Sequence, residues 1–262
     1  MSDVVIHASY KSAVDKTQIP TCNILGVEVA AVNMKWLLEY IRCNLKKLSG
    51  DYITVANVHT TVTAFENTAY REVQNGGIMA IPDGGPLSTL GRKRGYTNMT
   101  RIAGPDLMDE IFKVSADRGY RHYFYGATPE TLDKLHQNLT RRYPGIFIAG
   151  MYSPPFRDNS KEEDATDINR INDVFPNFLW VGLGAPKQEL WMAAHQGKVN
   201  SLMIGVGAGF DYHAEKISRA PMWFQNRNLE WVFRLMQDPI RLFGRYWRTN
   251  TRFIWNAYIK RR

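Results

Sequence analysis

The chain is short of cysteine, of long apolar runs and of the common nucleotide and metal signatures, and each shortage excludes something. Two cysteines, Cys22 and Cys43, in 262 residues are too few for a disulfide framework or a four-ligand zinc site. No run approaches the roughly 18 apolar residues of a membrane span. The first 17 residues carry Asp3 and no unbroken apolar core, so no secretory signal is expected and the expected compartment is the cytoplasm. An Asp-x-Asp pair that would hold a divalent metal against a nucleotide diphosphate is missing. So are a Walker phosphate loop and a Gly-x-Ser-x-Gly elbow. The six histidines, His7, His59, His122, His136, His195 and His213, show no metal-ligand spacing, and they read as surface or packing residues. There is no internal repeat and no linker rich in Gly, Ser or Pro.

What is present is globular: 44% apolar and 22% charged residues, with 20 Gly and 12 Pro. A chain of this length buries a sizeable core without staples. The net charge is +8, and its location matters more than its size. From Ser218 to Arg262 ten basic residues face only Glu230 and Asp238, so this tail holds the whole excess and the remaining 217 residues are neutral. The tail also holds ten of the 32 aromatic residues and four of the seven Trp. A neutral body with a basic, aromatic tail points to an anionic partner: phosphate-bearing lipid, nucleic acid or a diphosphate ligand.

Along the chain, short apolar runs end in Gly, Pro or Asn and are followed by helix-like stretches. The runs are 52–58, 78–81, 122–125, 147–149, 178–183 and 202–206; helical patterns such as 106–118 and 129–142 lie between them. Buried runs alternating with helices predict an α/β fold with a doubly wound, mostly parallel sheet. Such sheets bind ligands at the carboxyl ends of their strands.

Four motifs fall at those ends. In 125–130, Gly126 permits a tight turn, Thr128 is a good N-cap and Pro129 fits the first helical turn. This is either an anion site or an ordinary helix start, with Glu130 opposing a phosphate. In 181–191, Lys187 and Gln188 sit in a first helical turn, able to neutralise phosphate and to hydrogen-bond a sugar or base, or simply solvated. The stretch 204–211 brushes the dinucleotide fingerprint, but its third glycine is one position early and Phe210 takes its place. That leaves a nicotinamide-dependent oxidoreductase as a rival reading. In 81–86, Asp83 is either a turn-forming side chain or a carboxylate displayed where a general base is useful.

In the tail, Pro239 opens a helix expected over 240–259. Arg241, Arg245, Arg248 and Arg252 fall within a stripe about 60° wide. Leu242, Phe243, Tyr246, Trp247, Phe253, Ile254 and Tyr258 spread over the other side, the pattern of an interfacial helix. Arg234, Arg241 and Arg245 could equally point inward at a diphosphate, or the helix could pack on the body with its arginines solvated. A nucleic-acid or lipid-binding module is the other rival. Against it stands the lack of a helix-turn-helix, zinc-finger or RNA-recognition signature.

Taken in order, the motifs resemble the WecG/TagA/CpsF glycosyltransferases, glycosyltransferase family 26. The resemblance runs through Asn57, 82–84, 101–107 from Arg101 through Gly104 and Asp106, 126–129, 184–189, 205–211 with Gly207 and Asp211, 219–221 and 229–241. It covers about residues 24 to 250.

The resemblance implies an inverting, metal-independent enzyme without a cofactor. A hexose (glucose, N-acetylmannosamine or its uronic acid) passes from a UDP-sugar donor to a polyprenyl-diphosphate-linked sugar acceptor. The product feeds exopolysaccharide or teichoic-acid-type polymers at the cytoplasmic membrane. It implies a Rossmann-like domain over 1–217 and a membrane-docking helical appendage over 218–262. The enzyme is expected to be peripheral on the inner face of an anionic membrane and to bind no nucleic acid, with self-association left open.

The family's base falls on Asp83 and its motif arginine on Arg101. Substrate contacts fall on Asn57, Thr60, Gly104, Asp106, Gly126, Thr128, Lys187, Gln188, Gly207, Asp211, Arg234, Arg241 and Arg245. Membrane contacts fall on Trp247, Arg248, Arg252 and Trp255, with no metal ligand. One departure is Val55, where many members carry Thr; Thr54 and Thr60 are the nearby hydroxyls.

Overall fold

A computed structural model describes residues 12–157, 159–221, 223–224, 227 and 229–260, and leaves the side chains of Arg241 and Arg245 outside the described set. Its centre is an eight-stranded sheet. The strands are β1 (Thr21–Ile24), β2 (Val27–Ala30), β3 (Tyr52–Ala56), β4 (Met79–Pro82), β5 (Arg121–Gly126), β6 (Phe147–Tyr152), β7 (Phe178–Gly182) and β8 (Leu202–Gly205). Their order is β1-β2-β4-β3-β8-β7-β5-β6. Only the β1–β2 pair is antiparallel, and every other pairing is parallel. The doubly wound, mostly parallel sheet expected from the alternating runs is therefore present. The β1–β2 hairpin at its edge carries no run of the kind that marked the other strands.

Alternation along the strands sorts their side chains to two faces. Ile53, Val55, Ile81, Phe124, Phe178, Trp180 and Ile204 pack in one core with α1 (Met34–Asn44), α5 (Gly104–Arg118), α6 (Pro129–Arg142) and α9 (Gly209–His213). The intervening residues Tyr52, Ala56, Ala80, Tyr123, Tyr125, Leu179, Val181 and Met203 face two further cores. Those are built with α2 (Val58–Glu66), α3 (Thr68–Gly76), α4 (Gly85–Lys93), α7 (Lys161–Asn172) and α8 (Lys187–Ala194). Both faces are covered, which is why the strands read as nearly continuous apolar runs.

The connection β3→β4 steps one way along the sheet, whereas β5 to β8 fill the other side and end with β8 against β3. The carboxyl ends of β3, β4 and β8 thus flank the switch point, where a crevice opens in such folds.

Two helices close the chain: α10 (Glu230–Gln237) and α11 (Pro239–Ile254), which runs into a π-helical turn over Trp255–Ile259. Phe253 and Ala257 are buried in the same core as Val62, Ala64 and Leu87 of the body. The sequence set all the apolar residues of α11 on one side, but the structure divides them. At about 100° per residue, Leu242, Thr249 and Phe253 form a buried stripe. Ile240, Phe243, Trp247 and Ile254 form a second one that is 53–97% exposed. The arginines lie between them on the helical wheel. Arg248 and Arg252 each pair with Glu66 at the end of α2, the former at 3.4 Å. Among the described residues no helix is long and apolar enough to cross a membrane.

Candidate active site

Asp83 directly follows β4, and its backbone N–H donates to the Ala56 carbonyl of β3 at 2.7 Å. The α4 helix then begins at Gly85 under Gly84, whose φ of +100° suits glycine and whose cap uses no side chain. The side chain of Asp83 faces Arg101, with Oδ1 3.8 Å from Nε. The loop carrying Arg101 is pinned to the same strand end, because the Ile102 N–H donates to the Pro82 carbonyl at 2.7 Å.

Arg101 is the hub of a charged cluster. Its Nη1 lies 3.5 Å from Asp106 in the first turn of α5, and its Nη2 donates to Glu230 at the start of α10. Arg219 pairs with the other oxygen of Asp106. One turn beyond Glu230, Arg234 lies over the Tyr212 ring, 5.8 Å from its centroid. Burial pushes the Asp83 carboxyl up to about 6; the nearby Arg101 opposes the shift, and Glu230 reinforces it. Burial likewise pushes the Tyr212 phenol up to about 12, and its hydroxyl finds no hydrogen-bond partner among the described residues. A cavity of about 370 Å³ shares Tyr212 and Arg219 with the cluster and is otherwise lined by Pro105, Asp109, Arg142 and His213 among others. That volume lies within the range of small-ligand sites.

The glycine motifs lie at the carboxyl ends of β5, β7 and β8. A β-carbon at Gly126 would sit 2.6 Å from the Gly182 carbonyl, so glycine lets β5 and β7 end side by side. Thr128 caps α6 by accepting the Thr131 N–H at 3.2 Å. Gln188 is buried: its Oε1 accepts the Gly207 N–H at 3.0 Å, and its Nε2 donates to Glu189 at 2.7 Å. It therefore holds the Gly207 turn. Lys187 is exposed, with Nζ 3.2 Å from the Arg157 carbonyl. Gly104 opens α5, and Asp211 lies half-buried in the first turn of α9. That five-residue helix follows the glycines directly, where the sequence showed no clear helix start.

Asn57 and Thr60 form a reciprocal capping box at α2: Thr60 N–H to Asn57 Oδ1 at 3.1 Å, and Asn57 N–H to Thr60 Oγ1 at 2.9 Å. The Thr60 hydroxyl is thereby engaged, and Thr54 points to the sheet face opposite Val55. Neither takes the position of the missing hydroxyl. The structure thus gathers Asp83, Arg101, Asp106 and Arg234 into one cluster, whereas Asn57, Gly126, Thr128, Gln188 and Gly207 are engaged in caps, a turn and a close strand approach.

Sequence reasoning overlooked Glu230, Tyr212 and Glu189. Glu230 carried a signal: it is one of two acids in the basic tail and sits four residues before Arg234, on the same helical face. Glu189 is fully buried, and burial raises its pKa against hydrogen bonds from Gln188 and Tyr70. Nothing in its local sequence separates it from a solvated first-turn acid. Among the described residues no group of three or more His, Cys, Asp or Glu is arranged to hold a metal ion.

With this geometry in view, comparison with known proteins is decisive. The pattern of the glycosyl transferase WecG/TagA/CpsF family matches residues 22–262. The chain belongs to that family. Relatives from Staphylococcus aureus strains MW2, NCTC 8325 and MRSA252 are each 30% identical over 231 residues, covering 87% of this chain and 89% of theirs. Each is described as an N-acetylglucosaminyldiphosphoundecaprenol N-acetyl-beta-D-mannosaminyltransferase. The protein is accordingly a glycosyltransferase, and the oxidoreductase reading of the 204–211 glycines is set aside. As a WecG/TagA/CpsF member, it places its family motifs at the carboxyl edge of the sheet, where the crevice lies.

Proposed function

We propose that this glycosyltransferase moves a hexose, of the N-acetylmannosamine type used by its relatives or a close analogue, from a UDP-sugar to a polyprenyl-diphosphate-linked sugar. The reaction inverts the anomeric centre. The acceptor hydroxyl attacks the anomeric carbon as its proton passes to Asp83, and the bond to the UDP oxygen breaks with both electrons going to the diphosphate. A sugar hydroxyl is a weak nucleophile, and a carboxyl held near 6 is ionised at neutral pH yet still basic enough to take its proton. Arg101 and Arg234 lie where the departing diphosphate gathers negative charge, and fixed cations in a partly dehydrated crevice stabilise it. Arg241 and Arg245 are assigned to the same diphosphate region from the family motif alone.

The observation that carries this reading is the Asp83–Arg101 pair at the β4 terminus, closed from above by Glu230 and Arg234 of the C-terminal segment. The acceptor's lipid stays in the bilayer, so the enzyme must work at the inner membrane surface. The exposed Phe243–Trp247 stripe of α11 supports that docking, with Trp255 and the partly exposed Arg248 and Arg252 beside it. The test is turnover of a nucleotide-activated hexosamine with a synthetic N-acetylglucosaminyl-diphosphate lipid. Wild type is expected to form the disaccharide lipid and Asp83→Asn to lose at least about 100-fold in rate. Equal rates would remove Asp83 from the base role.

A further inference from the structure

We propose that Glu230 is a positioning residue that sets the proton affinity of Asp83 by drawing the Arg101 guanidinium away from it. The proposal rests on the reading of Asp83 as the base, and extends that reading to a residue of the C-terminal segment.

Arg101 shares its donors among three carboxylates. An arginine pairs most strongly with a carboxylate side-on, through Nε and the Nη2 hydrogen that points the same way. Here Nη2 is taken by Glu230 and Nη1 is turned toward Asp106. Asp83 is left with Nε at 3.8 Å, beyond hydrogen-bond range. Arg101, pinned beside the carboxylate, is therefore held in a geometry that cannot form the strong pair. Glu230 is well placed for this work: its side chain is 17% exposed, and it sits in the first turn of α10, where a carboxylate is favoured.

The other groups around Asp83 do not replace it. Asp106 of α5 is already shared between Arg101 and Arg219. Arg234 of α10 lies toward the Tyr212 ring of α9 and opposes the rise in the Asp83 pKa, as Arg101 does. Glu230 and Asp106 act in the opposite sense, with Glu230 the stronger of the two. Because Glu230 belongs to α10, the base has its full proton affinity only while that helix is seated on the body.

The test uses the full chain and Glu230→Gln, which keeps the shape and removes the charge. The Asp83 carboxyl is followed by carbon-13 titration in aspartate-labelled protein, and the acid limb of kcat/KM is measured in parallel. In Glu230→Gln, Arg101 is expected to close side-on against Asp83. The titration midpoint should then fall by about one pH unit, the acid limb should move down with it, and the plateau rate should drop several-fold as the base weakens. Glu230→Asp keeps the charge but retreats by one methylene, and its midpoint is expected to lie between the two. It is also the reserve variant should the Gln change unseat α10.

A midpoint unmoved within about 0.2 units in both variants would overturn the proposal even if turnover fell, since a mere tether would act that way. So would an upward shift. A midpoint that falls while the kinetic limb stays in place would uphold the Glu230 effect and refute Asp83 as the base.

Discussion

At the residue scale, the role proposed for Asp83 carries a cost in stability. Its folded-state pKa of about 6 lies above the ordinary aspartate value of 3.8. A raised pKa means that the folded state favours the protonated form. The stabilisation is present below pH 3.8 and lost as pH rises through 6. At neutral pH the ionised carboxylate therefore costs on the order of 2–3 kcal/mol. Replacing it by Asn should raise the melting temperature at pH 7.5 by several degrees while turnover collapses. A thermal melt showing Asp83→Asn less stable than wild type would contradict this. The same pKa sets the pH profile: kcat/KM should fall tenfold per unit below about pH 6 and level off above it, as a base that must be ionised requires.

His122 behaves in the opposite sense. The Trp180 indole N–H donates to Nδ1 at 3.1 Å, so Nε2 carries the hydrogen and gives it to Ser115 Oγ at 2.8 Å. Burial holds the imidazole neutral and lowers its pKa to about 3. Its contribution to stability is complete above pH 6.5 and is lost as pH falls toward 3. Ser115→Ala leaves the ring N–H without an acceptor and should cost about 1–3 kcal/mol in chemical denaturation at pH 7. A change under about 0.5 kcal/mol would show that the hydrogen bond is replaceable.

At the scale of elements, the strands and α6 were legible because burial on both sheet faces writes apolar runs and because Thr128–Pro129 is a strong start signal. The β1–β2 hairpin was not, since its Leu25–Gly26 turn joins two strands of only four residues. The α11 helix shows a different limit. Periodicity located one arginine stripe, but it could not tell which apolar residues meet the body. That depends on where α2 presents Val62 and Glu66, a tertiary fact.

The exposed stripe carries its own prediction. Phe243→Ser with Trp247→Ser should weaken partitioning onto anionic vesicles by at least about tenfold, because both aromatics would be lost from the bilayer interface. The melting temperature should stay within about 2 °C, since both side chains are more than half exposed. Unchanged vesicle binding would take the stripe out of the docking role.

For the whole molecule, the charge imbalance that was plain in the composition has resolved into separate tasks. Arg219 and Arg234 turn toward the charged cluster around Arg101, Arg248 and Arg252 brace α11 on Glu66, and the exposed apolar stripe runs along another side of α11. The crevice was legible because the motifs fell at strand ends. The contact of Arg101 with Glu230 was not, since the two residues meet only through the fold. Body and tail thus meet in one charged cluster, and a chain ending at Ile217 would lack both Glu230 and Arg234.

The central claim is that Asp83 accepts the acceptor's proton in a sugar transfer to a diphosphate lipid. Its most direct test is the rate of disaccharide-lipid formation by wild type and by Asp83→Asn across pH 5 to 9, with fold verified by melting. The wild-type rate is expected to climb to a plateau above about pH 6, and the variant to be at least about 100-fold slower and to show no such limb. A variant that retains both the rate and the limb would contradict it.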